Sequence, residues 1–192
     1  METSRHSKRR ANTHKALMHS AKVLFEENGI SNVTIEKIAE VADVSRSTFF
    51  THFASLDDLL NQIADEEIND IYAAAENSDK SGMSALFSQL TQDTYPYPNL
   101  ITEYVTRSIL SDKKSSVSKV LDLIKNEIDA GGYGEMKKTF SANDISALIF
   151  GAYFGLVYYK LANKEPFEDP EEINGKINNF IKFINREENN NE

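Results

Sequence analysis

Cysteine is absent from these 192 residues. That excludes disulfides, thiolate nucleophiles and cysteine-built zinc sites, and it fits a reducing compartment. Glycine (8) and proline (4) are too scarce for a low-complexity chain. Long apolar runs are missing as well. The longest, Ala147 to Tyr159, falls short of the about 18–20 residues that a membrane span needs, so no membrane partner is expected. The opening METSRHSKRR is basic and polar with no apolar stretch behind it, which predicts no secretory signal and a cytoplasmic protein. Motifs of catalysis are lacking: there is no G-x-x-x-x-G-K, H-E-x-x-H or G-x-S-x-G. His14 and His19 stand five apart, poor spacing for one metal on a helix. The expectation is a protein that is not an enzyme and uses no cofactor or metal.

What is present is an ordinary globular composition, 40% hydrophobic and 27% charged, on a chain long enough for one compact domain, with or without a small appendage. The net charge of −9 hides an asymmetry. Through Ser55 there are eight Lys/Arg against six Asp/Glu, a balance of +2, whereas the remainder carries 13 against 24, or −11. All four His (His6, His14, His19 and His52) lie in the first part. A mildly basic head on an acidic body predicts that only the head meets an anionic partner.

Helical periodicity runs throughout. Leu17, Ala21, Leu24 and Phe25 form one face of a helix opening at Asn12 or Thr13 and closed by Asn28-Gly29. Thr34 is placed to cap a second helix whose inner face is Ile35, Ile38, Ala39 and Ala42. Asp43 interrupts it, Ser45 restarts a short helix through Phe49, Phe50 and Phe53, and Ser55 with Asp58 resembles a capping box for a long helix. After a polar break at 77–82, three further helical patterns follow, the first two separated by a turn at Pro96 and Pro98, and Gly131, Gly132 and Gly134 then make a flexible bend. Two C-terminal helices are expected over 143–163 and 171–186. No alternating strand pattern persists, so the fold class is all-α.

The informative stretch is TIEKIAEVADVSRSTFFTHF, Thr34–Phe53. Two short helices crossing steeply need a small residue at their contact, which Ala39 supplies, and a turn residue that tolerates positive φ, which Asp43 can be. Val44 plugs the interior and Ser45 caps the second helix. Phe49 and Phe53 then face inward, leaving Arg46, Ser47, Phe50 and Thr51 outward, a set suited to major-groove edges and phosphates.

From Ala16 to Leu60 the sequence resembles the tetracycline-repressor (TetR) family of bacterial regulators. The likeness rests on the helix ending in Phe25 and Gly29, I-A-x-x-A at Ile38–Ala42, V-S at Val44-Ser45 and T-F-F-x-H-F at Thr48–Phe53. The resemblance implies an N-terminal three-helix helix-turn-helix head (1–55) on a larger helical ligand-binding and dimerisation body (56–186); the polar run 187–192 reads from its composition as a disordered tail. It implies a homodimer acting on a double-stranded DNA operator, as a repressor at a palindrome released by a small-molecule effector. By motif position Thr34, Ser45, Arg46, Ser47, Phe50, Thr51 and His52 would meet DNA. Three residues depart from the family pattern: Asp43 for the frequent Gly, Phe50 for the usual Tyr, and Leu56 for a Lys that commonly meets phosphate. Lys8, Arg9 and Arg10 are placed to compensate as a basic arm. The rival reading is a regulator-shaped helical scaffold acting through protein partners with weak or no DNA binding.

Ser146–Tyr159 is apolar nearly all round and so needs cover on every side. Small residues Ala147, Gly151 and Gly155 on one flank, with Ile177, Phe180 and Ile184 on the last helix, are assigned to a four-helix dimer interface. Tyr72, Phe87, Tyr95, Tyr97, Tyr104 and Arg107 are the candidates for contact with an effector, as an aromatic pocket carrying a few polar groups.

Overall fold

The computed structural model describes residues 2–76, 82–110 and 116–185, with side chains from His6 onward. The tail 187–192 and all of the 77–82 break except Gly82 lie outside the described residues. Among those described there is no strand.

Helix α1 spans Glu2–Asn28, starting well before the expected Asn12. Nothing upstream of Gly29 breaks a helix, and Lys, Arg and Ala all favour one, so the basic segment is a helical extension and not an extended arm. Gly29, at φ 77°, closes α1, and its N–H donates to Phe25 O at 2.9 Å. A 3-10 turn over Ile30–Asn32 leads to α2, Ile35–Val41, where the Thr34 side chain accepts from Lys37 N at 3.2 Å. Asp43 takes φ 53°, the left-handed turn required of it, and Val44 N donates to Ala39 O at 2.9 Å to close the turn. Helix α3, Arg46–Phe50, begins at Ser45, whose hydroxyl accepts from Thr48 N at 3.0 Å.

Helix α4, Leu56–Glu76, leaves the head and enters the body. Its first turn is fixed by Ser55 Oγ accepting from Asp58 N at 3.0 Å and Asp58 Oδ2 accepting from Ala54 N at 2.7 Å. Leu56 packs half-buried against the head core. The body adds α5 (Gly82–Thr94), α6 (Pro98–Ile109), α7 (Ser116–Ala130), one turn of α8 (Gly134–Lys137), α9 (Ala142–Ala162) and α10 (Pro170–Ile184). The glycine bend is less loose than its composition suggests. Tyr133 sits there at φ 60°, buried, with its N–H donating to Asn185 Oδ1 at 2.7 Å.

Two apolar clusters result. The head core joins Leu17, Phe25, Ile38, Phe49, Phe53 and Leu59, and the body core centres on Ile71, Phe87, Ile124 and Tyr153. Leu100 of α6 belongs to the head cluster, so the two cores meet across α6. One sequence argument fails here. Taken as a whole helix, α9 is long and apolar enough to cross a membrane by length and composition, although 39% of its most apolar window is buried inside the protein. It packs on α6, α7 and α10.

Candidate nucleic-acid interface and effector cavity

Helix α3 is short because Ser45 starts it and Phe53 turns back into the core. Phe49 and Phe53 are fully buried. Their opposite side presents Arg46, Ser47, Phe50 and Thr51, all exposed, with Thr34 and Ser45 beside them at the helix starts. Phe50 is 42% exposed. The Arg46 guanidinium lies 4.9 Å from its centroid, and Arg46 Nε donates to Glu36 Oε1 at 2.6 Å. The backbone N–H bond at the start of α2, and after it this pair, hold Glu36 below the usual carboxylate range. Ser45 Oγ and Ser47 Oγ are 2.8 Å apart, and Thr51 Oγ1 donates to Thr48 O at 2.7 Å.

His52 differs from the other six. It is half-buried, its ring 5.7 Å from His14 on α1, and burial together with His14 and Arg10 lowers its pKa. It belongs to the seam between α1 and α3 more than to the outer face.

A cavity of about 610 Å³, its mouth included, lies between α4, α6, α7 and α9, closed at one side by Leu90 of α5. Ile63, Ile68, Ile71, Val105, Val120 and Phe154 are typical of its apolar wall. Among the described residues the polar lining is Glu67, Tyr104 and Ser116, and Tyr104 Oη is bonded to Ser116 Oγ at 3.0 Å. Of the six expected effector contacts, only Tyr104 lines this space. Phe87 and Tyr95 are buried core, against Tyr153 and Phe167 respectively, and Tyr72 packs half-buried on the body core. Tyr97 packs on the head core. Arg107 is engaged elsewhere, with Glu103 Oε1 at 2.8 Å and with Ser31.

Between head and body runs a polar seam that local sequence does not announce. Lys22 of α1 pairs with Glu67 of α4, both side chains mostly buried, and its ammonium lies 5.8 Å from the Tyr97 ring. Glu26 of α1 caps α6, accepting from Leu100 N at 2.9 Å and Asn99 Nδ2 at 2.7 Å. Glu103 returns the contact, accepting from Ile30 N at 2.9 Å. Behind Glu67 stands Asp93 of α5. Burial, reinforced by Glu67 and Asp70, pushes its carboxyl up to about 7. Gln89 Nε2 donates to Asp93 Oδ1 at 2.9 Å, while Oδ2 has no donor among the described residues.

The C-terminal pair leaves an apolar face uncovered. Ala147, Leu148, Gly151, Gly155, Tyr158 and Tyr159 on α9 are exposed, as is Phe183 on α10 at 67%. Phe180 and Ile184 are half-buried beside it. Ile177 has no surface to offer, being buried in the protomer's own core. Its helical phase matches that of Ile173 and Ile181, the row that α10 turns towards α5 and α9.

Comparison with known proteins places these features. Residues 17–63 match the model of bacterial regulatory proteins, tetR family. The chain is similar to the transposon Tn10 TetC protein of Escherichia coli, 31% identical over 91 residues, which cover 46% of each chain. The aligned part therefore spans about half the length of that relative. Among solved structures, a transcriptional regulator (TerR/AcrR family) from Aquifex aeolicus VF5 superposes with a TM-score of 0.63 at 19% identity, covering 90% of this chain and 99% of its own. SmeT, the repressor of the Stenotrophomonas maltophilia multidrug efflux pump SmeDEF, superposes with a TM-score of 0.66 at 13% identity, covering 93% and 94%.

Proposed function

We propose that this chain, a TetR-family transcriptional regulator by its head and its all-helical fold, is a ligand-responsive homodimeric repressor that reads a palindromic DNA operator. The observation that carries the reading is the division of α3: Phe49 and Phe53 are buried while Arg46, Ser47, Phe50 and Thr51 stand in solvent. A helix held from behind can enter the major groove without losing its core. Arg46 is the candidate for a base or phosphate, Phe50 for a thymine methyl, and Thr34, Ser45, Ser47 and Thr51 for positioning on phosphates. His52 would act from the edge of this face. Residues 1–55 form the DNA-binding unit and residues 56–186 the body that joins two copies.

The uncovered face of α9 and α10 supports dimerisation, because small residues at 147, 151 and 155 let a partner helix approach closely. A dimer sets two heads against half-sites about 34–36 Å apart. The cavity beneath α4 supports release by an apolar small molecule, since the helix that lines it also carries the head. Such a protein works in the cytoplasm, on chromosomal DNA. The test is a gel-shift titration on genomic fragments that the protein selects. Arg46→Ala should weaken binding by about 1–3 kcal/mol if the side chain reads a base. Unchanged affinity would remove Arg46 from the interface.

A further inference from the structure

We propose that the exposed start of α1 is a second DNA-contacting element, a cationic helix that lies along the phosphates flanking the groove entered by α3 and supplies most of the head's electrostatic affinity. The inference rests on the DNA-binding reading and goes beyond it, because it moves the phosphate-binding charge out of the helix-turn-helix.

The helix-turn-helix itself has no charge to spare. Thr34–Phe53 holds Lys37 and Arg46 against Glu36, Glu40 and Asp43, a balance of −1. Both cations are already engaged, Lys37 with Glu40 at 3.0 Å and Arg46 with Glu36 at 2.6 Å. Lys22 is taken by Glu67. Among the described residues of the head, the Lys and Arg side chains without a carboxylate partner are Lys8, Arg9, Arg10 and Lys15. All four lie on α1 and all are exposed. Affinity for a duplex comes largely from cations that neutralise phosphates, so it must come from here.

Nothing within the protein stabilises this stretch as a helix. Residues 6–12 are all exposed, so packing contributes little. Their cations sit towards the N-terminal end of α1, where the helix dipole is already positive. Lys8, Arg9 and Arg10 are consecutive and fan out about 100° apart around the axis, so no single face of the protein's own surface could neutralise all three. A polyanion removes the repulsion and the dipole penalty together.

The stretch is also carried to the right end of the molecule. Leu17, Ala21 and Phe25 anchor α1 in the head core, and the His14 ring stacks on Phe53 at 4.6 Å. One turn earlier stands Arg10. Burial, then His14, then Arg10 lower the His52 pKa, which puts the Arg10 charge beside the C-terminal end of α3. From Arg10 back to Glu2 the helix runs about 12 Å, the rise over which one strand presents roughly three or four phosphates.

The test is the salt dependence of binding by the full chain to an operator that the protein selects. Lys8→Gln, Arg9→Gln and Arg10→Gln combined should lower the slope of log K against log salt by roughly two to three per head, at about 0.9 for each phosphate given up. Binding at about 0.15 M salt should weaken on the order of tenfold or more. The selected sequence should stay the same, because phosphate contacts carry no base information. Hydroxyl-radical footprinting should show backbone protection beside each half-site that disappears in the triple variant. Ala11→Pro keeps every charge but breaks the helix, and it too should weaken binding. Residues 6–12 touch no core, so both variants should melt with the wild-type protein. A triple variant with wild-type slope and affinity would overturn the inference and leave the DNA-binding reading standing, and full affinity in Ala11→Pro would overturn the helical contact. A wild-type protein that binds no duplex would instead sink the DNA-binding reading itself.

Discussion

Replacing Asp93 with Asn should flatten a pH dependence that the wild-type fold carries. The Asp93 carboxyl sits at about 7 in the folded protein against 3.8 for an unperturbed group, held there by burial first and by Glu67 second. A raised carboxyl binds its proton more tightly folded than unfolded. Its contribution to stability is therefore complete below about pH 4 and is lost as pH climbs towards 7. A separation of about three pH units corresponds to about 4 kcal/mol, which screening by the water that still reaches the side chain reduces to about 2. Asn offers Glu67 a permanent N–H donor in place of the titrating one. Urea unfolding at pH 5 and pH 8 measures the effect. The wild-type protein should lose about 1 kcal/mol more than Asp93→Asn between those values, because the part lost below pH 5 is already gone, and the variant should be the more stable of the two at pH 8. Curves that differ by a constant at both pH values would refute the argument, because the carboxyl would then be titrating normally.

Two other changes follow from the same structure. Glu36→Gln should strengthen operator binding several-fold if Arg46 contacts DNA, because the Arg46–Glu36 pair would then compete with it; a gel shift with equal or weaker affinity would count against Arg46 as a contact. Gly151→Arg should leave a monomer by light scattering where the wild-type protein is expected to be a dimer, while the helix content by circular dichroism stays unchanged. A Cβ at Gly151 meets nothing within 4 Å, and Arg is the better helix former by about 0.8 kcal/mol.

The helix-turn-helix was legible because its determinants are local. Gly29, Thr34, Asp43 and Ser45 each act on backbone within a few residues, and each adopts the cap or turn its chemistry favours. The start of α1 was misplaced for a related reason: Asn12 looks like a cap, but no breaker precedes it, so the helix simply continues. The head–body seam was invisible because its partners are remote. Lys22 and Glu67 are 45 residues apart, and Glu26 reaches across 74 to Leu100. Periodicity reports that a side chain is buried, not what it is buried against. Phe87 and Tyr95 therefore read like pocket aromatics but pack in the core, and Ile177 reads like an interface residue but faces its own protomer. Leu56 shows the converse: a departure from the family's basic residue becomes intelligible once its contact with the head core is seen.

The central claim, that α3 reads duplex DNA as one of a symmetric pair, is tested most directly by selecting bound sequences from a random duplex library and footprinting the winner. Two inverted half-sites with centres about 10 base pairs apart, or a multiple of that, protected together and lost with Arg46→Ala, are the predicted result. A library with no enriched sequence, or one enriched for a single asymmetric site occupied by a monomer, would contradict it.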